Sequence, residues 1–339
     1  MRLEFPFKGG QRKGPSDVIG LDIATTGVKA VRMKKTSDGL LVTGAAILPA
    51  IVLDGGDESQ KPVLELPKNL LTNYAALAMS GDGSSVRILS LQGQNAAQID
   101  EDRVREQVGL GQDYRVGFAV AVAGKGKQET KLLVVGMPEK EAKSVLDLVA
   151  VGAPAPCALE LSGLSSLSAF LYGPGKAHEQ DAVAVIDAGA RLTFMALFNK
   201  GVLVLVRKFD LGSETIVTKV QQQLSVDRDT ARGGISDGSF DISQSVRAVM
   251  DPFLRQLTIS KDFVERREDC RVVKCYLSGG TSLSRYWMEE IRTATGVDAE
   301  LWNPFGNLQM ADGTYPAELA GQEPRFAAAV GVCLGVLEE

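Results

Sequence analysis

Two aspartates carry the chemistry that the sequence offers most openly. Val18-Ile19-Gly20-Leu21-Asp22 is an apolar run closed by an acid, and Ile23-Ala24-Thr25-Thr26-Gly27-Val28 turns it back through small residues. Far downstream, Val183-Ala184-Val185-Ile186-Asp187 ends the same way and returns through Ala188-Gly189-Ala190-Arg191 to Leu192-Thr193. Each reads as a β-hairpin with a tight tip. Two such hairpins facing one another can hold a polyphosphate between their backbone N–H groups, with each carboxylate placed for a hydrated divalent cation that bridges to the phosphates. A third stretch, Leu277-Ser278-Gly279-Gly280-Thr281-Ser282, sets a glycine turn between an apolar strand and a helix, a common way to bring backbone close to a nucleotide.

The elements that must position these residues divide the chain into two similar halves. Residues 18–51 read as three strands of an antiparallel meander, and a Gly/Pro-rich loop over 49–69 with Asp54-Gly55-Gly56-Asp57 leaves that sheet. A second module follows, with strands at 74–79 and 86–91, a helix over 96–108, strands at 116–123 and 131–137 around Gly124-Lys125-Gly126-Lys127, and a helix from Pro138 to about 149. A helix over 158–172 ends at Gly173-Pro174-Gly175, after which the first scheme recurs. Residues 181–209 give a hairpin and a third strand, and helices follow from Gly212 to 224 and over 246–265. The segment Asp229-Thr230-Ala231-Arg232-Gly233-Gly234-Ile235 reads as a loop, because each glycine weakens a helix by about 1 kcal/mol relative to alanine. Residues 326–337 form a small-residue helix able to pack closely on another.

Composition excludes several classes of function. The chain has 339 residues, 45% of them apolar, enough for two domains with real cores. Lys and Arg total 37 against 42 Asp and Glu, so the basic footprint of a nucleic-acid-binding protein is missing. Cys157, Cys270, Cys275 and Cys333 lack metal-site spacing and read as reduced thiols of a cytoplasmic protein. The single histidine, His178, reads as a surface loop residue, and with no second histidine a His-based metal site or charge relay is not expected. No stretch of about 20 apolar residues offers a membrane span.

Taken in order, a hairpin with Asp, an inserted module, a helix, a second hairpin with Asp, a strand-Gly-Gly-helix unit and a final small-residue helix resemble the actin-like ATPase fold. Within that superfamily the chain resembles the PilM proteins of type IV pilus assembly, relatives of FtsA, through Gly20 to Lys29, Ala78-Met79-Ser80-Gly81, Asp113-Tyr114, Leu277 to Ser282 and Asn303-Pro304-Phe305. The resemblance implies an α/β fold of two ribonuclease-H-like domains. The chain would run as a tail over 1–17, a first domain over 18–175 with an α+β insertion at about 52–152, a second over 176–325, and a helix over 326–339 packing back on the first. It implies ATP and magnesium as ligands. Asp22, Thr25, Thr26, Gly27, Lys29, Asp187, Gly189, Thr193, Gly279, Gly280 and Thr281 would hold the nucleotide, and Asp22 and Asp187 would hold magnesium through water. Glu160, on the connecting helix, is the candidate to orient a water, and weak hydrolysis at most is expected. The sequence departs from the family pattern at Ala24 and Arg191, and Arg232 and Ile235 stand where the family has a Glu and a Lys.

The partner that the resemblance implies is PilN, a bitopic membrane protein whose N-terminal cytoplasmic peptide docks between the first domain and its insertion, with a PilN/PilO-like complex beyond it. The protein would then work at the inner face of the cytoplasmic membrane, with self-association a further expectation. Three alternatives share the fold: a small-molecule kinase, for which no acceptor-site carboxylate constellation is evident, a nucleotide-free pseudo-ATPase, and an FtsA-like polymer. The last would need a terminal amphipathic helix, which the end at Glu338-Glu339 is not expected to supply.

Overall fold

The computed structural model describes residues 14–51, 64–92, 99–124, 129–149, 152–237 and 240–338. Most of the tail over 1–17, the Asp54-Gly55-Gly56-Asp57 loop, the start of the helix expected at 96 and most of the Gly124 to Lys127 turn lie outside them.

The chain begins with β1 (Asp17–Ala24), β2 (Gly27–Thr36) and β3 (Gly39–Leu48), then β4 (Tyr74–Met79). The module follows as β5 (Ser85–Gln92), α1 (Glu101–Val108), β6 (Tyr114–Val122), β7 (Glu129–Pro138) and α2 (Glu139–Leu146). The chain returns through β8 (Ala155–Leu161) and α3 (Ser162–Tyr172). Next come β9 (Ala182–Ala188), β10 (Thr193–Asn199), β11 (Val202–Phe209), α4 (Ser213–Leu224), α5 (Arg228–Asp237) and α6 (Ser243–Glu268). It closes with β12 (Val272–Ser278), α7 (Arg285–Thr295), β13 (Asp298–Leu301), β14 (Gln309–Met310) and α8 (Ala327–Leu337).

The two halves repeat one topology. Neighbouring strands run β14-β3-β2-β1-β4-β8 in the first sheet and β11-β10-β9-β12-β13 in the second. In each, a three-strand antiparallel meander is extended by parallel strands beside its first member. β1 and β9 are buried along almost their whole length, as central strands covered on both faces must be. The module has its own three-stranded sheet, β5-β7-β6, and a small separate core of Leu91, Val104, Val108, Leu132 and Val134.

Several sequence expectations need correction. The strand at 74–79 belongs to the first sheet, where it pairs in parallel with β1. The helix expected over 158–172 starts only at Ser162, because Ala155–Leu161 forms an edge strand against β4. That change puts Glu160 on a strand. The segment 229–235 is helical: the Asp227 carboxylate accepts the amides of Asp229 and Thr230 at 2.9 Å each, which caps the first turn and lowers its pKa. Glu214 then pairs with Arg228 and Arg232, and Phe240 packs where Gly234 has no side chain. His178 is only 16% exposed at its side chain; its ring bridges Asp181 at 2.9 Å and the Tyr276 hydroxyl at 2.6 Å. It ties the connection between the halves to β12.

Helix α8 lies against α3 and the first sheet. Its run of Ala and Gly allows backbone-to-backbone approach: a methyl on Gly331 would collide with the Ser165 carbonyl, and one on Gly20 of β1 with that of Ala329. Gly331→Val should therefore destabilise the protein by about 1–3 kcal/mol or more, as overpacking of a closed core does. Urea denaturation reads this as a lower midpoint, and an unchanged midpoint would mean that α8 is not seated on α3.

Candidate functional site

A cleft of about 760 Å³ opens between the halves, walled by the tips of the β1–β2 and β9–β10 hairpins, the start of α3, and the turns at 279–286 and 321–325. The first hairpin explains the seven-residue interval between its acid and its base. Ala24 pairs with Gly27 across a two-residue Thr25-Thr26 tip, so Asp22 falls directly opposite Lys29. Both are nearly buried, at 6% and 5% exposure. Lys29 Nζ lies 3.8 Å from Asp22 Oδ2 and donates to the Gly27 carbonyl at 3.3 Å. Burial lowers the lysine pKa, and the charge of Asp22 works against that shift. The other Asp22 oxygen, Oδ1, accepts from Ser162 Oγ at 2.6 Å.

The second hairpin has no such lysine, because Asp187 stands opposite Phe194. Its carboxylate accepts from Ser278 Oγ at 2.8 Å. Burial pushes the Asp187 pKa up to about 7; the Ser278 hydrogen bond opposes this, and the negative charge of Asp22 across the cleft adds to it. The tip behind it is rigidly tied. Thr281 Oγ1 donates to the Gly189 carbonyl at 2.6 Å and accepts the Ser213 amide at 3.1 Å, joining the hairpin, the start of α4 and the glycine turn. Gly279 is required there, since its φ is +84° and a side chain would strike the Ala188 backbone.

Of the residues expected at the site, Asp22, Thr25, Thr26, Lys29, Asp187, Gly189, Gly279, Gly280 and Thr281 line the cleft. Gly27 and Thr193 are not among its lining. Gly27 closes the hairpin next to the Leu48 carbonyl, and Thr193 is fully buried, donating to the Leu211 carbonyl at 2.8 Å. Glu160 is also away from the cleft: its Oε2 accepts from Ser165 Oγ at 2.7 Å, and its other oxygen sits near Gly335 of α8. Ile235 lines the cleft, whereas Arg232 is held by Glu214.

Sequence reasoning missed Ser162 as the partner of Asp22, and Ser278 as that of Asp187. A signal was present: Leu161-Ser162-Gly163 and Leu277-Ser278-Gly279 are the same tripeptide at the end of a parallel strand in each half. It also missed Arg325, which lines the cleft with its Nε buried and without a hydrogen-bond partner. Arg325 Nη1 donates to Gln322 at 2.7 Å; burial lowers its pKa, and Asp22 works against that.

Two sheets of one repeated topology, set on either side of a cleft that carries an aspartate hairpin from each, define an actin-like ATPase fold. The chain superposes on the solved PilM-PilN type IV pilus biogenesis complex with a TM-score of 0.78 at 20% identity, covering 96% of this chain and 100% of that one. Looser overlaps include the ethanolamine utilization protein EutJ from Carboxydothermus hydrogenoformans (13% identity, 96% of this chain and 91% of that one, TM-score 0.45). MreB 5 of Spiroplasma citri gives 10% identity over 95% of this chain and 96% of that one, with a TM-score of 0.46. The family model of the type IV pilus assembly protein PilM matches residues 167–336, half of the sequence, and the chain belongs to that family.

The raised pKa of Asp187 has a consequence for stability. Its folded value of about 7 lies above the ordinary 3.8, so the folded state holds a proton that the unfolded state has lost. Stability contributed in this way is present at acid pH and is lost as pH rises toward about 7. Asp187→Asn, which cannot ionise, should gain stability over wild type progressively between about pH 4 and 7 and hold a constant gain above. Urea denaturation across that range checks it; a variant less stable than wild type at about pH 8 would contradict the assignment.

Proposed function

We propose that the protein is a nucleotide-responsive scaffold of type IV pilus assembly that grips the cytoplasmic N-terminal peptide of a PilN-like bitopic membrane protein. The observation that carries this reading is the superposition over all of the PilM-PilN complex chain, module included. No helix among the described residues is long and apolar enough to cross a membrane; in this reading the partner holds the protein at the inner face of the cytoplasmic membrane.

The cleft fits a magnesium-bound nucleoside triphosphate. Its two carboxylates suit a hydrated Mg²⁺, which is commonly held by one or two carboxylates plus substrate phosphates; among the described residues there is no cluster of three or more His, Cys, Asp or Glu to form a protein-only metal cage. Lys29 and the orphaned Nε of Arg325 supply positive charge and an unused donor for phosphate oxygens. Asp22 and Asp187 would carry the metal through water, with Ser162 and Ser278 fixing their rotamers.

For the peptide, a groove of about 430 Å³ lies at the end of the first sheet remote from the cleft, lined by Asp17, Arg32, Leu71, Thr72, Tyr74 and Ala153 among others; none of its lining comes from the module, so the site proposed is on the first domain itself rather than at its junction with the insertion. Leu71 and Tyr74 are 48% and 44% exposed, which leaves apolar surface for an anchoring side chain. Arg32 forks onto Asp17 through contacts of 3.0 and 2.7 Å, so a charged edge borders that surface.

Two measurements test the proposal. Excess MgATP should raise the melting temperature, in line with about 2.7 kcal/mol at one hundredfold its dissociation constant, and Asp22→Ala should abolish the shift. The cytoplasmic peptide of the neighbouring bitopic pilus protein should bind wild type and lose about tenfold or more in affinity to Leu71→Asp or Tyr74→Ala. Equal binding by these variants would move the docking site elsewhere, and no binding by wild type would remove the scaffold reading.

A further inference from the structure

The turn at residues 80–84, between β4 and β5, is gripped from both halves of the molecule. Arg191, at the tip of the β9–β10 hairpin, lines the cleft and pairs with Asp82 Oδ2 at 2.7 Å. Lys208 of β11 donates to the carbonyls of Gly81 at 3.1 Å, Asp82 at 2.8 Å and Ser84 at 2.7 Å. On the module side, Glu141 of α2 accepts the Gly83 amide at 3.1 Å, and the Tyr114 hydroxyl donates to the Gly83 carbonyl at 3.4 Å. Ser80, at the start of the turn, lines the same cleft. The second hairpin, the cleft and the module therefore meet at five residues.

The two cations grip differently. Lys208 is half-buried, does not line the cleft and holds three neutral carbonyls, so it anchors the turn whatever the cleft contains. Arg191 holds a carboxylate at the cleft wall, with side-chain exposures of 54% for the arginine and 34% for the aspartate. An ion pair this open to water contributes little and is easily traded. A guanidinium binds a phosphoryl group through two parallel, charge-assisted hydrogen bonds, and Asp82 left behind is rehydrated at small cost.

We propose that Arg191 is a phosphoryl sensor: a phosphoryl group bound between the two hairpins draws Arg191 away from Asp82 and releases one of the two holds of the second half on the turn at 80–84. Lys208 remains as the pivot, and the module that begins at β5 gains freedom to reorient. Occupancy of the cleft is thereby coupled to the module through a change of arginine partner. The inference rests on the nucleotide reading of the cleft and adds to it a direction of signalling.

The test compares wild type, Arg191→Ala and Asp82→Asn, all full length, by calorimetric titration with MgATP and by amide hydrogen exchange with and without it. Arg191→Ala should weaken MgATP by about tenfold, whereas Asp82→Asn should tighten it severalfold by removing the competing carboxylate. Exchange across residues 80–92 should rise when wild type binds MgATP, start high in Asp82→Asn, and be unmoved by MgATP in Arg191→Ala. An arginine acting only as structural glue would give the opposite for Asp82→Asn, with affinity falling as in Arg191→Ala, and that overturns the proposal. So do equal affinities in all three proteins with no change in exchange. Failure of wild type to bind MgATP at all would instead remove the nucleotide reading, and the sensor with it.

Discussion

A carboxylate taken out of water without a facing cation is costly to ionise, and Asp187 is in that position. Burial of Asp187, to which the charge of Asp22 across the cleft adds, is the constraint on which the site depends. Each half treats its acid in its own way. The first hairpin sets a buried lysine opposite its acid, while the second, with Phe194 in the matching place, leaves Asp187 holding a proton up to about pH 7. A serine from a strand end fixes each carboxylate rotamer, so both acids are aimed and only one is charge-balanced. Lys29, Arg191, Arg285 and Arg325 line the same cleft, so positive charge stands around the two acids although only Asp22 has a cation directly opposite it in its hairpin.

The same repeat accounts for the fold. A meander extended by parallel strands appears twice, and the acid at the end of the central strand of each copy meets its counterpart only because the copies face each other. The close packing of α8 on α3 and β1, through Gly20 and Gly331, fixes the back of the first sheet. The turn at 80–84, where the chain enters the module, receives Arg191 from the tip of the second hairpin and Lys208 from β11.

What the sequence showed plainly was governed by local pattern. The hairpins were legible because a two-residue tip puts Asp22 opposite Lys29, and the Asp187 run is apolar for its whole length. β8 was not legible, since Ala155–Leu161 is rich in helix-compatible residues and its strand state comes from parallel pairing to β4, a non-local contact. α5 was hidden by two glycines whose cost is offset by the Asp227 cap and the Glu214 ion pairs. His178 was misread because its partners, Asp181 and Tyr276, are brought together only by the fold. Arg325 carried no local signal; its role depends on a buried Nε that only the packing reveals.

The most direct test of the central claim is the proton balance of nucleotide binding, measured by titration calorimetry in buffers of different ionisation enthalpy. A cation entering between the carboxylates must displace the proton that Asp187 holds. Binding of MgATP should therefore release about half a proton near pH 7, close to one near pH 6, and none by about pH 8.5. Binding whose heat is the same in every buffer across that range would show that Asp187 is not the protonated acid facing the metal, and would contradict the account.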